Sequence, residues 1–164
     1  MSIASLGKNF ESIFKAQMSK VENVYVMRLY DQVSFKYGSK NPCDFIVYRY
    51  ASMYFIELKT CQGASLPRKN ITDFQMTEMY KAVKTKGIKA YVICWFYDKD
   101  VCRAFPIEYL HRIFFKEKKK SVRYDDEKGI LISGTKLRSY FVWHWEDLFD
   151  ANKQRSTKKS GSRK

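Results

Sequence analysis

Two carboxylates and a lysine, Asp44, Glu57 and Lys59, lie in two neighbouring segments that are rich in aromatic and β-branched residues. The segments are DFIVYRY, residues 44–50, and MYFIELKT, residues 53–60, with a two-residue gap between them. Their composition predicts two β-strands joined by a tight turn. The three side chains could therefore act together if one hairpin brings them to the same face.

Hairpin geometry predicts how these side chains are arranged. With residues 51–52 as the loop, the register sets Ile46 opposite Glu57 and Asp44 opposite Lys59. Paired residues share a face and side chains alternate along a strand, so the two carboxylates and the lysine are expected on one face. Asp44 and Glu57 would be diagonal neighbours about 7 Å apart, within reach of one cation. The other face is apolar and predicts a buried core: it carries Phe45, Val47, Tyr54, Ile56 and Leu58.

This arrangement favours the chemistry of phosphodiester hydrolysis. Two facing carboxylates are costly unless a cation lies between them, and their hard oxygen atoms suit Mg²⁺, with Asp44 and Glu57 as the metal ligands. A bound metal ion acidifies a water molecule and stabilises charge on the reacting phosphate. Lys59 would orient that water and neutralise the phosphate. The alternative is a polar strand face with an ordinary Glu–Lys pair, because Glu-x-Lys alone is common in strands.

The charge of the chain favours a polyanionic partner. Lys and Arg number 31 against 17 Asp and Glu, which gives a formal net charge of +14. Such an excess indicates nucleic acid or an anionic membrane. The sequence offers no amphipathic basic helix whose apolar face is left over from the core, and no apolar run of membrane-spanning length, so DNA is the expected partner. The N-terminus does not resemble a signal peptide, so the expected compartment is the cytoplasm. Charge alone leaves open a non-catalytic nucleic-acid-binding protein.

The remaining pattern predicts an α/β domain. The four cysteines lack metal-binding spacing and are expected to be small buried hydrophobes. A capping box is expected at Asn70 and Asp73. The expected mixed central sheet is flanked by helices, in a domain of residues 1–150 followed by a flexible basic tail, 151–164. The expected helices are 6–20, 71–86 and 107–120, and the further strands are 24–29, 89–97, 101–106 and 139–145.

The order of the acidic residues resembles that of the PD-(D/E)XK nuclease superfamily, which implies a restriction-endonuclease-like fold. The matching residues are Glu11 in the first helix, Asp44 at a strand start, and Glu57 and Lys59 in the next strand. A closer similarity is to the RecU family of Holliday junction resolvases from low-GC Gram-positive bacteria and their phages. It rests on LGKNFESIF and on FIELKTCQGASLPRKNITDFQMTEM, in which a Leu-Pro loop leads to a helix bearing a functional glutamine, here Gln75.

This resemblance implies a homodimer that makes symmetric cuts in four-way DNA junctions with Mg²⁺ or Mn²⁺. By the same resemblance Asp44 and Glu57 hold the metal ion and Lys59 assists the water. Gln75 would position groups of the metal site or the scissile phosphate. Glu11 would be an outer metal ligand or an acidic residue that contacts the metal ligands rather than the metal ion.

The chain departs from the RecU pattern in one connection. Family members carry a long stalk before the strand that bears the aspartate, whereas this chain has only DQVSFKYGSKNPC. In this respect it is similar to archaeal Hjc-type resolvases. Lys36 and Lys40 lie in the short connection and could reach the junction centre. Arg68 and Lys69, in the loop before the helix of Gln75, are the nearest candidates for phosphate contacts.

Three functions remain in competition on sequence grounds. The first is a structure-selective endodeoxyribonuclease that resolves four-way junctions. The second is another PD-(D/E)XK nuclease that acts on linear or nicked duplex DNA. The third is a basic DNA-binding protein without catalysis, against which the expected clustering of Asp44, Glu57 and Lys59 argues.

Overall fold

The computed structural model describes residues 3–30, 40–138 and 140–151. Its helices are α1 (Ile3–Met18), α2 (Asp73–Ala82) and α3 (Ile107–His111). A 3₁₀ turn (Arg68–Asn70) precedes α2, a π-helical turn (Arg112–Lys116) continues α3, and residues 146–151 are helical. The strands are β1 (Tyr25–Arg28), β2 (Phe45–Arg49), β3 (Ser52–Cys61), β4 (Ser65–Pro67), β5 (Ile88–Phe96), β6 (Val101–Pro106), β7 (Ser121–Arg123), β8 (Ile130–Ile132), β9 (Gly134–Lys136) and β10 (Phe141–Trp143).

A six-stranded mixed sheet in the order β1-β2-β3-β5-β6-β8 organises the chain. Its neighbours pair antiparallel except β3 and β5, which are parallel and are connected through α2. Such a crossover is how parallel strands are normally joined. One face packs against α1 and the residues from Phe141 to Ala151, and the other against α2 and α3. The predicted α/β fold with a mixed central sheet flanked by helices is confirmed.

Helix α1 is held to the sheet by an apolar stripe and by one partly buried amide. Phe10, Phe14 and Met18 recur every four residues and are fully buried, as the helical period requires. The Gln17 side chain joins α1 to the C-terminal segment. Its oxygen accepts bonds from the backbone N–H of Trp143 (3.0 Å) and from Nε1 of Trp145 (3.2 Å), while its nitrogen donates to the Phe141 carbonyl (2.7 Å).

We expect Gln17→Ala to lower the free energy of unfolding by about 2–3 kcal/mol, because it leaves partly buried polar groups without partners. Urea unfolding followed by tryptophan fluorescence measures the change. The control is Ser12→Ala, which removes an exposed hydroxyl that donates to the Lys8 carbonyl on the same helix. Equal stabilities of the two variants would contradict this role of Gln17.

The predicted register of the first hairpin is wrong by two residues. Residues 50–51, not 51–52, form the loop, so that Arg49 pairs with Ser52 and Phe45 with Ile56. A two-residue shift leaves every side chain on its original face, so hydrophobic alternation cannot distinguish the two registers. The predicted apolar face is confirmed, because all five of its residues are buried in one cluster: Phe45, Val47, Tyr54, Ile56 and Leu58.

Several element boundaries also differ from the predictions. The cap of α2 is Thr72 rather than Asn70, which lies in the 3₁₀ turn. The helix predicted over 107–120 keeps α-helical geometry only to His111. Strand β8, which the sequence pattern did not reveal, completes the main sheet, whereas β10 pairs with β9 in a separate two-stranded sheet. The predicted tail lies outside the described residues except for Ala151.

Two further expectations concern the cysteines and membrane spans. All four cysteines are free and buried, as predicted. Among the helices of the described residues, none combines the length and the apolar character that crossing a bilayer requires.

Candidate active site

The regular pairing of β2 with β3 ends at Phe45 and Ile56, and Asp44 lies just beyond it. The Asp44 backbone N–H donates at 3.1 Å to the carbonyl of Ile56, the residue already paired with Phe45, so Asp44 and Phe45 both face Ile56 as in a β-bulge. The predicted pairing of Asp44 with Lys59 is therefore wrong. The Asp44 carboxylate turns back onto β3 and its Oδ2 accepts a bond from the Leu58 N–H at 2.8 Å. The two carboxylates are close enough for the charge of Asp44 to act on the pKa of Glu57.

Glu57 is buried and only half of its carboxylate is hydrogen-bonded. The residue is 1% exposed, and it is the one buried charged residue among those that the structure describes. Its Oε1 accepts bonds from Lys59 Nζ at 2.6 Å and from Gln75 Nε2 at 2.7 Å. Its Oε2 has no hydrogen-bond partner among the described residues. An unsatisfied buried carboxylate oxygen is costly, and it is the kind of atom that a bound cation satisfies.

The raised pKa values of Glu57 and Asp44 also favour a cation site at this position. Burial, reinforced by the charge of Asp44, raises the pKa of Glu57 from 4.5 to about 7, although Lys59 and Gln75 favour the ionised form. Burial also raises the pKa of Asp44, and the charge of Glu11 adds to this, whereas the bond from the Leu58 N–H and the charge of Lys59 oppose it. Both carboxylates would be stabilised as anions by a divalent cation between them.

The two carboxylates suit a magnesium ion better than a metal ion whose ligands all come from the protein. In the described part of the chain, no three or more Asp, Glu, His or Cys side chains converge as a potential metal cluster. Mg²⁺ usually takes one or two carboxylates, keeps several water molecules and completes its shell with phosphate oxygens. Asp44 and Glu57, with the free Oε2 of Glu57, match that requirement.

Gln75 is held in place by the first turn of α2. Thr72 and Gln75 form a capping box, in which the Gln75 N–H donates to Thr72 Oγ1 at 3.1 Å and the Thr72 N–H donates to Gln75 Oε1 at 3.1 Å. With its oxygen fixed at the helix start, the amide directs its nitrogen to Glu57. The spacing Thr-x-x-Gln is a known capping signature. It could have located both the helix start and the orientation of this side chain.

Glu11 and Arg28 form an ion pair beside Asp44, on the opposite side of the sheet from α2. The Arg28 guanidinium donates to Glu11, and both side chains are partly buried. The charges of both residues act on the pKa of Asp44, in opposite directions. Arg28 also lies over the Phe45 ring, 5.8 Å from its centroid. The sequence analysis missed Arg28, whose only signal was a charge in an otherwise apolar strand.

The candidate DNA contacts occupy different environments. Arg68 is engaged within the protein, because it donates to the Ile71 carbonyl at 2.6 Å, pairs with Asp73 and lies over the Phe115 ring. Lys69, next to it, and Lys40 are exposed. Lys36 lies outside the described residues.

The mixed sheet and the carboxylate–lysine cluster at its hairpin are those of a PD-(D/E)XK endonuclease. The chain matches the family described as Recombination protein U (RecU) over residues 15–136, and it belongs to that family. The matched range includes Asp44, Glu57, Lys59 and Gln75. As a RecU-family protein the chain is a Holliday junction-resolving nuclease, as the resemblance predicted.

A solved structure gives a more distant comparison. The structure of Hjc, a Holliday junction resolvase from the archaeal hyperthermophile Archaeoglobus fulgidus, is 18% identical to this chain with a TM-score of 0.46. The alignment covers 63% of this chain and 74% of the archaeal one. No curated protein sequence matches the chain significantly.

Proposed function

We propose that the protein cleaves four-way DNA junctions by Mg²⁺-dependent hydrolysis, with Asp44 and Glu57 as the metal ligands. The observation that carries this proposal is the buried Oε2 of Glu57, which has no hydrogen-bond partner in the described part of the chain and belongs to a carboxylate on which the charge of Asp44 acts. Mn²⁺ prefers similar oxygen ligands and is expected to substitute. The expected setting is the cytoplasm of a bacterial or phage-infected cell.

Each neighbouring residue has a separate part in the proposed reaction. The bound metal ion would stabilise charge on the phosphate and lower the pKa of a water molecule. Lys59, whose amine is 2.6 Å from Glu57, orients that water and neutralises the developing charge on the phosphate. Gln75 holds Glu57 through its other hydrogen bond. Glu11 stays behind the ligands, where its pairing with Arg28 moderates its effect on Asp44.

DNA affinity in this proposal comes from cations that meet phosphates. Lys69 and Lys40 are exposed and can make such contacts without losing an internal partner. Arg68 is proposed as a contact that also holds the start of α2 through Asp73 and Ile71. Lys36 belongs to the same proposal on the basis of its place in the short connection. These contacts are sequence-independent, so binding should weaken steeply with salt.

The protein is further proposed to be a homodimer. Resolution of a four-way junction requires cuts in two strands, and the described chain has one carboxylate pair at its hairpin. Two copies related by a two-fold axis provide two equivalent sites.

Asp44→Asn is the direct test of the metal site. We expect wild-type protein with Mg²⁺ to cut two opposing strands of a labelled four-way junction and to leave a linear duplex of the same arm sequence intact. Asp44→Asn should reduce the cleavage rate at least about 10³-fold, because it removes a charged ligand while preserving the size of the side chain. Asp125→Asn, which alters an exposed carboxylate paired with Arg123, is the matched control.

The other outcomes separate the competing functions. Cleavage of the linear duplex at a similar rate would favour a PD-(D/E)XK nuclease without junction selectivity. Junction binding without metal-dependent cleavage, or full activity of Asp44→Asn, would reject the proposed site.

A further inference from the structure

We propose that a second copy of this chain docks on the open sheet face, a patch on β1, β2 and β3 whose side chains are exposed or half-buried among the residues that the structure describes. This inference rests on the proposed homodimeric function and locates its interface. The patch consists of six uncharged side chains from three adjacent strands: Tyr25, Met27, Ile46, Tyr48, Met53 and Phe55.

Strand register places these six side chains on one continuous surface. Tyr25 pairs with Tyr48, and Tyr48 pairs with Met53. One step along, Ile46 lies between Met27 and Phe55. Directly paired residues share a face, so the patch is two rows of three side chains. The four most exposed members are Tyr25 at 65%, Tyr48 at 42%, Met27 at 40% and Met53 at 37%.

The helices of this face cover other strands. Helix α2 packs on β5, and α3 packs on β5 and β6. The same face of β5 is consequently buried, with Ala90, Val92 and Cys94 in the cluster beneath these helices. The boundary between covered and open surface thus runs along β3. Beyond it, large apolar side chains remain in contact with water, which is a common feature of interaction sites.

Charge selects a second copy over DNA as the occupant. The chain carries a net charge of +14, so two copies repel each other over most of their surfaces. They can approach at the lowest cost where neither presents a charge, and none of the six patch residues is charged. DNA has the opposite requirement, because its backbone is bound through Lys and Arg that neutralise phosphates. Tyrosine and methionine are also enriched at protein–protein interfaces.

The patch lies on the same face of the sheet as the active site. Met53, Phe55 and Glu57 alternate along β3, so the Glu57 carboxylate lies on the same face as the patch. Four steps along the strand separate Glu57 from Met53, which corresponds to about 13 Å. A two-fold axis through the patch therefore places both active sites beside the interface, one from each copy. Such a dimer could address two strands of one junction.

The oligomeric state of designed variants tests this interface. The double variant Met27→Glu/Tyr48→Glu puts four like charges into a two-fold interface, and we expect dimerisation at least 100-fold weaker than in the wild type. Leu131→Glu is the matched control, because Leu131 is a 51% exposed apolar residue on β8, at the opposite edge of the sheet. Sedimentation equilibrium of the full chain should give dimers for wild type and control, and monomers for the double variant.

A cross-linking experiment keeps the test valid if the double variant fails to fold. All four native cysteines are buried, so an introduced surface cysteine reacts selectively. Tyr48→Cys should form a covalent dimer with a short bis-maleimide, whereas Leu131→Cys should remain a monomer. A monomeric wild type, a double variant that stays dimeric, or equal cross-linking at the two positions would overturn the proposal. So would loss of junction affinity in the double variant at an unchanged dimer constant, which would identify a DNA surface.

Cleavage of a cruciform plasmid separates failure of this interface from failure of the proposed function. Wild-type protein should linearise the plasmid through paired cuts. The monomeric double variant should release nicked circles, because each chain keeps its carboxylate pair. If neither protein cuts with Mg²⁺, the proposed metal site is rejected whatever the sedimentation result. If the double variant linearises as efficiently as the wild type while monomeric, the proposed link between this surface and paired cutting is rejected.

Discussion

Replacing Glu57 by glutamine is expected to abolish cleavage and, without metal, to make the protein more stable at pH 8. The loss of activity follows from removal of a charged ligand and should be at least about 10³-fold. The gain in stability follows from the burial of Glu57, which is 1% exposed and feels the charge of Asp44. Glutamine has nearly the shape of the protonated acid and carries no charge to bury. The same substitution should thus move activity and stability in opposite directions.

The pH dependence follows from the raised pKa of Glu57. In the folded protein this pKa is about 7, against an ordinary value of 4.5. The folded state therefore retains a proton between these pH values that the unfolded state has released, and the wild type loses stability as pH rises through this window. Complete ionisation in the folded state costs up to about 3 kcal/mol, a figure that already includes the attraction of Lys59. Glu57→Gln avoids this loss.

Urea unfolding at pH 4 and pH 8 in the presence of EDTA measures the effect. The variant and the wild type should have similar stability at pH 4, and the variant should be the more stable at pH 8. Mg²⁺ at pH 8 should stabilise the wild type and leave the variant unchanged, because a ligand stabilises only the state that binds it. Glu108→Gln, at an exposed position of α3, is the control. A variant that is less stable than wild type at pH 8 would contradict the electrostatic argument.

The hairpin shows which features of this site the sequence could predict. Alternation of apolar and polar residues determined the face of Asp44, Glu57 and Lys59, because any register of the same parity gives the same faces. The partner of each residue depended on the loop, and Ala-Ser is a weak turn signal. The predicted pairing of Asp44 with Lys59 was lost when the loop moved by one residue. The raised pKa of Glu57 could not be anticipated, since it depends on the burial of this carboxylate and on its distance from Asp44.

Long-range contacts account for the other differences. The bond from Gln75 to Glu57 spans 18 positions in sequence, and only the Thr-x-x-Gln spacing gave local information about it. Arg28 meets Glu11 because β1 lies beneath α1, which requires the assembled sheet. The three-residue strand β8 is too short for a periodic signal and gains its pairing from β6. Such short elements are defined by tertiary context more than by propensity.

Lys59 provides the test that distinguishes catalysis from charge balance in the carboxylate pair. Its amine donates to Glu57 at 2.6 Å, and its side chain is 22% exposed, so it is accessible to water and to a phosphate at the mouth of the site. We expect Lys59→Met to reduce single-turnover cleavage of the junction by about 10²–10⁴-fold, the range for removal of one preorganised electrostatic contact together with proton-transfer assistance. The junction Kd should change less than about threefold, because many other cations contribute to affinity.

Two further variants make the interpretation of this result specific. Lys86→Met removes an exposed lysine from the turn after α2 and should cleave like the wild type. Lys59→Arg keeps the positive charge but replaces a compact ammonium with a wider planar group, and we expect it to recover less than a tenth of the lost rate. Near-normal cleavage by Lys59→Met would show that Lys59 serves only as an ion-pair partner of Glu57. A loss confined to junction affinity would make it a phosphate contact, whereas a loss confined to the cleavage rate identifies a residue that acts on the reacting atoms.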